Sequence, residues 1–237
     1  MEMKICVPAA TGLGLAIAMS ANAGMTGNAY EVGYAFSGSD FGGVAVSGYV
    51  VDLYLEFDGD ADVMLNVYNF NDVNLGTNTY FQGLTAPGWS PNEQGSIFET
   101  EVSQSFDSFI AIGGVTVDGA NGPIQMAGNG VATDPNFGGN NAAGPQADGG
   151  WYNGNPNNPI GQVVATNATT TGFGVFIGRF SVAGSAGFSM VGSDGFATYN
   201  QGVGTAGVQE SFNVVDIPAP GALALLGLAG LASRRRR

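Results

Sequence analysis

Hydrophobic and polar residues alternate through much of the chain. In Tyr49-Val50-Val51-Asp52-Leu53-Tyr54-Leu55-Glu56-Phe57, positions 49, 51, 53, 55 and 57 make one apolar face, with Asp52 and Glu56 on the other. A period of two is that of a β-strand, whose successive side chains point to opposite sides. The pattern predicts a half-buried strand with its two acids in water. A second strand is expected over 63–70 (VMLNVYNF), and Asp58-Gly59-Asp60-Ala61-Asp62 between them reads as a hairpin turn. Further strands are expected at 29–36, 106–112, 115–117, 161–166, 173–182, 187–191, 195–199 and 211–215. No segment of the body carries a ten-residue helical stripe, and residues 97–105 are the candidate for a short helix.

Many short strands at this spacing, punctuated by Gly, Asn and Asp, predict an all-β fold: a single β-sandwich or jelly-roll-like domain. Residues 24–216 are enough chain for one sizeable core and few enough for one domain. The exception to the alternation is 118–161, where 11 Gly, 9 Asn and 5 Pro fill 25 of 44 positions. That composition predicts one long loop. No internal repeat is evident.

The two ends have a different character. Residues 1–23 read as a signal peptide: Lys4 makes a thin positive start, 5–19 is mostly apolar, and Ala21-Asn22-Ala23 places small residues at the −3 and −1 positions of a cleavage site before Gly24. Cys6, the chain's one cysteine, would leave with it, so the processed chain would have no disulfide and no thiolate ligand. Residues 217–237 run Ile217-Pro218-Ala219-Pro220, then the apolar stretch GALALLGLAGLA, then Ser233 and Arg234, Arg235, Arg236 and Arg237. As a helix, those 12 apolar residues rise roughly 18 Å, and a marginal transmembrane segment results once Ile217 and snorkelling arginines are included. The arginines mark the cytoplasmic side and stop transfer, leaving the body outside.

This three-part tail resembles the PEP-CTERM sorting signal of bacteria that use exosortase. Pro218 and Pro220 match the prolines of the motif, the Leu/Gly/Ala run matches its helix and Arg234–Arg237 match its basic end; Ala219 stands where the family usually has Glu. The resemblance implies an exported protein with a transient inner-membrane anchor. An exosortase-like membrane protease would then release it to the cell surface or an exopolysaccharide matrix. It covers only the tail and implies nothing about the body.

Charge and composition narrow the rest. With no His, a Ser-His-Asp triad, a Cys-His pair and a His-ligated metal are excluded. Residues 24–216 hold 18 acids against Arg179 alone, a net of −17. Nucleic-acid binding, which needs clustered Lys and Arg, is excluded. Arg179 is expected to form a structural ion pair at a strand end, or to fork onto a carboxylate or a sugar.

Three candidate sites remain. Asp58, Asp60 and Asp62 place three carboxylates within five residues, a donor set suited to Ca²⁺, although the EF-hand spacing fails at Val63 and Asn69; the plainer reading is a solvated acidic turn. No other cofactor is expected. Trp89, Trp151 and Tyr152 lie in Gly/Pro-rich stretches and are candidates for glycan contact, or else for pinning loop to sheet. Gly202-Val203-Gly204-Thr205-Ala206-Gly207 fits G-x-G-x-x-G, but a strand, not a helix, is expected after it, so a dinucleotide site is not. The expected function is that of a non-enzymatic surface or extracellular-matrix protein with a structural or adhesive role. A carbohydrate-binding module is the alternative, and a glycan-active hydrolase using two carboxylates is a more distant one.

Overall fold

The computed structural model describes residues 24–39, 43–74, 80–81, 106–113, 131–134, 145, 147–154, 159–202 and 204–217. These are nearly all β, with almost no helix. In chain order the strands are β1 (Met25–Ser39), β2 (Ala45–Phe57), β3 (Val63–Asn71), β4 (Phe109–Ile110), β5 (Val131–Thr133), β6 (Gly149–Asn153), β7 (Val164–Ala165), β8 (Phe173–Ala183), β9 (Asp194–Asn200) and β10 (Gly207–Val215). They form one sheet in the order β4-β8-β2-β1-β10-β9-β3-β6-β5, with β7 paired to β8. The first and last strands are neighbours and run parallel, Ala29 facing Val214; β1–β2, β2–β8 and β9–β10 are antiparallel.

The sheet is curled. β4 and β6 are seven places apart in the order, which on a flat sheet would separate them by about 34 Å at ~4.8 Å per strand. Yet Trp151 on β6 donates its indole N–H to the carbonyl of Ala111, just after β4, at 2.8 Å. The curl encloses a core of Val51, Leu53, Leu55 and Phe57 from β2, Val175, Ile177 and Phe180 from β8, Met64, Val67 and Phe70 from β3, and Phe212 and Val214 from β10.

Curling also alters the expected hairpin. β2 and β3 do not pair; β2 bonds β1 and β8, and β3 bonds β9 and β6. The link Asp58–Asp62 therefore carries the chain from one wall of the curl to the other, tied to the start of β1 by a hydrogen bond from Asp58 N to Gly24 O (3.0 Å). The second expectation for β2 fails as well. Both of its faces are buried, because Tyr54, Phe109, Ala111, Ala168 and Phe176 form a second apolar cluster outside the sheet, and Phe36 and Val50 form a third beside Phe81 and Phe106. Asp52 and Glu56 are thus buried rather than in water.

Residues 118–161 are not loop throughout, since β5 and β6 fall inside them and a 3-10 turn, Pro159–Gly161, closes them. Backbone pairing at the edge of an existing sheet needs no apolar alternation, and within β5 and β6 Trp151 and Val131 are the large apolar side chains that are buried. Residues 187–191 form no strand; they connect β8 to β9. The expected elements at 97–105 and 115–117, the segment 1–23 and the tail from Pro218 lie outside the described residues. Among the described residues no helix is long and apolar enough to cross a membrane.

Candidate functional site

The two walls of the curl differ in what covers them. Whereas β1, β2 and β8 carry the outer clusters, the outer face of β6, β3, β9 and β10 exposes Tyr152, Phe196, Gln209, Ser211 and Asn213 among the described residues. Pairing aligns these side chains into a strip. Asn66 on β3 lies opposite both Tyr152 on β6 and Thr198 on β9, and Tyr68 lies opposite Phe196, which in turn faces Ser211 on β10. Two register shifts in β3, at Met64/Asn66 and Tyr68/Asn71, turn Asn66 and Tyr68 outward while Met64, Val67 and Phe70 stay in the core. Such bulges commonly re-aim side chains. Asn69, at φ 50°, absorbs the second one, a conformation Asn tolerates better than most residues.

The strip has two parts. Tyr68 and Phe196 stack with centroids 5.4 Å apart and planes at 22°, and Phe196 is 41% exposed. Beside them is a hollow of about 210 Å³ between Asn66, Tyr68, Asp134 and Tyr152, the last 44% exposed. Gly150 floors it. A Cβ there would lie 2.7 Å from Asp134 Oδ2 and 2.8 Å from the Val67 carbonyl, so only glycine lets β5 and β6 close on β3 at this point. Asn66 Oδ1 accepts from Thr198 N at 3.0 Å, which fixes the amide's orientation across β3 and β9. Aromatic faces with an amide and a carboxylate alongside can receive the C–H faces of a sugar ring and bind its hydroxyls.

Of the sequence-predicted contacts, Tyr152 is on this strip, on a strand rather than a loop. Trp151 points the other way: it is 1% exposed, packs edge-on against Phe70 at 5.5 Å and pins β6 to Ala111. Strand alternation sends neighbouring aromatics to opposite sides, which adjacency in sequence conceals. Trp89 lies outside the described residues. Tyr68, Phe196 and Asn66 were not singled out from the sequence. Their signal, polar or aromatic positions opposite an apolar stripe in two strands, gains meaning only once β3 and β9 are known to be neighbours.

Asp58, Asp60 and Asp62 are not brought together. Asp58 and Asp60 are exposed and Asp62 is buried; among the described residues no three acids are grouped to hold a metal ion. Asp58 Oδ1 instead accepts from Gly24 N at 2.5 Å. Burial, then the neighbouring Asp58, pushes the Asp62 carboxyl up to about 6.

Arg179 forms the expected ion pair, in mid-strand rather than at a strand end. It sits directly opposite Asp52 across β8 and β2 and forks onto it, Nε to Oδ1 at 2.7 Å and Nη2 to Oδ2 at 2.9 Å, with its guanidinium 5.7 Å from the Phe109 ring centre. Burial works against its charge, but Asp52 outweighs it and holds the guanidinium protonated. Tyr34 donates to the same carboxylate at 3.1 Å, and burial with Asp52 raises its pKa. Glu56 is kept ionised without a cation: burial opposes this, while Thr170, Thr26, the Thr171 amide and Asn28 donate to it and lower its pKa. These groups are structural and leave the sole cation of the body unavailable to a ligand. The G-x-G-x-x-G stretch links β9 to β10 in an antiparallel pair, so a strand follows it, as expected.

Comparison with known protein families, with curated proteins and with solved structures finds no match.

Proposed function

We propose that this is an exported, non-enzymatic protein of the bacterial surface or extracellular matrix, with a structural or adhesive role. The observation that carries the reading is the aromatic and amide strip on the open outer face of β6, β3 and β9, where Tyr152, Phe196 and Tyr68 offer ring surface beside Asn66 and Asp134. A body with 18 acids and one buried Arg repels polyanions, so the polymer it holds is neutral polysaccharide rather than an acidic glycan. The same strip favours the narrower alternative of a carbohydrate-binding module. In fold terms we take the curled sheet as a jelly-roll-like β-sandwich, its two walls forming the layers. The tail motif Pro218-Ala219-Pro220, the apolar run and Arg234–Arg237 act as the sorting signal, read by an exosortase-like membrane protease. Residues 1–23 act as the export signal.

A glycan array and co-sedimentation with insoluble neutral polysaccharides test the reading on the chain from Gly24 onward. Binding of a neutral glycan, weakened at least tenfold by Phe196→Ala or Tyr152→Ala with unchanged melting temperature, is expected. Retention that ignores both substitutions, or binding confined to acidic glycans, overturns it. Polysaccharide turnover would replace it with the hydrolase alternative.

A further inference from the structure

The link Asp58–Asp62 holds the start of the described chain in a closed two-bond ring: Gly24 N donates to Asp58 Oδ1 at 2.5 Å and Asp58 N donates back to Gly24 O at 3.0 Å. Gly24 is itself buried. A Cβ on it would stand 2.9 Å from the Tyr199 hydroxyl and 3.6 Å from Gln201 Nε2, so the Tyr199 hydroxyl lies close against the position. Beside this ring Asp62 is 1% exposed, its Oδ2 has no hydrogen-bond partner among the described residues, and Asp62 is within electrostatic reach of both Asp58 and Tyr199. Tyr199 in turn donates to Glu210 at 3.0 Å. Asp58 thus meets the Gly24 nitrogen directly, Asp62 is coupled to Asp58, and Glu210 is tied to the Tyr199 hydroxyl that lies against Gly24. Glu56 is taken up by Thr26, Asn28, Thr170 and the Thr171 amide, and Arg179 is forked onto Asp52. A buried carboxylate without a partner is costly unless a cation answers it.

The small residues Ala21 and Ala23 stand at −3 and −1 to the same glycine. We propose that cleavage after Ala23 makes Gly24 the first residue, and that its new α-ammonium is the cation that answers Asp58 and Asp62. The acidic link is thus a receptor for the processed N-terminus and not a calcium site. In the cleavage, water adds across the Ala23–Gly24 peptide bond: the Ala23 carbonyl carbon takes the hydroxyl, the Gly24 nitrogen takes the hydrogen, and a proton from solution completes the ammonium. A signal-peptidase-class protease supplies the catalysis. The inference rests on the export reading above, but not on the glycan strip.

The test uses the chain from Gly24 to Arg237 in two forms, with a free Gly24 amine and with that amine acetylated. Acetylation keeps one N–H donor, as in the uncleaved peptide bond, and removes the charge. At pH 7 the free form is expected to melt roughly 2–4 °C higher. Its amine is expected to titrate at least one unit above the ordinary ~7.7–8.0, a tenfold gain in proton affinity read by NMR. Asp58→Asn shrinks both differences, whereas Asp60→Asn preserves them. Equal melting of the two forms, or an amine titrating near 8, overturns the pairing. Mass spectrometry of the protein exported from full-length chain separates the two premises: a first residue other than Gly24 overturns the processing step itself, whatever the stability data say.

Discussion

Replacing Arg179 with Met cuts the charge from a side chain of similar reach and leaves the Asp52 carboxylate facing a void in polarity. Asp52 and Arg179 are 1% and 2% exposed, their two hydrogen bonds are 2.7 and 2.9 Å long, and the pair sits between β2 and β8 under the Phe109 ring. Breaking a buried pair by removing one partner typically costs about 3–5 kcal/mol, since the remaining charge keeps its desolvation penalty without its counterion. Tyr34 still donates to Asp52 at 3.1 Å, which places the expectation at the lower end, about 3 kcal/mol, or roughly 6–12 °C in melting temperature for a domain of this size. The double variant Asp52→Leu/Arg179→Met removes both charges and both penalties, and should recover to within about 1–2 kcal/mol of the parent. Urea unfolding of the parent, both single variants and the double variant, fitted as a double-mutant cycle, measures this. A single-variant cost under about 1 kcal/mol, or a double variant that costs the sum of the singles, would refute the account of a desolvated pair.

Three further outcomes are expected. Gly161→Ala would drive a Cβ to 1.8 Å from the Met64 carbonyl, so the 3-10 turn must move off β3, lowering stability by about 1–3 kcal/mol in chemical denaturation. With Gly24 acetylated, Asp62, held up at about 6 against an unfolded value near 3.9, binds its proton more tightly in the folded state. The stability that this proton confers is complete below about pH 4 and is lost as pH rises through 6, up to about 3 kcal/mol, and Asp62→Asn should flatten that part of the pH profile. Finally, 18 carboxylates against one Arg in 24–216 repel one another on compaction. The melting temperature at pH 7 should therefore climb as NaCl shortens the Debye length below about 8 Å, and a flat response would count against the repulsion.

Alternation of apolar and polar residues was sufficient to locate β1, β2, β3, β8, β9 and β10, because a strand with one face on a core writes its exposure into every second position. Composition was likewise sufficient for the all-β class. The absence of His removed whole classes of catalytic machinery. Pairing was not legible. Asp58-Gly59-Asp60 reads as a hairpin turn in any local window, and only the curl, set by contacts such as Trp151 to Ala111, sends β2 and β3 to opposite walls. The burial of Asp52 and Glu56 follows from a third layer of chain, 106–111 and 166–171, settling on what local pattern marks as the wet face. β5 and β6 escaped notice because edge pairing is a backbone interaction that Gly and Asn do not forbid. The candidate site was half visible: Tyr152 was picked out, while its partners Tyr68, Asn66 and Phe196 come from strands distant in sequence and two bulges decide which way they point. Local periodicity determines which residues seek the core. Which strands become neighbours, and so which exposed residues share a surface, is decided by how the whole sheet closes on that core, a property no single segment carries.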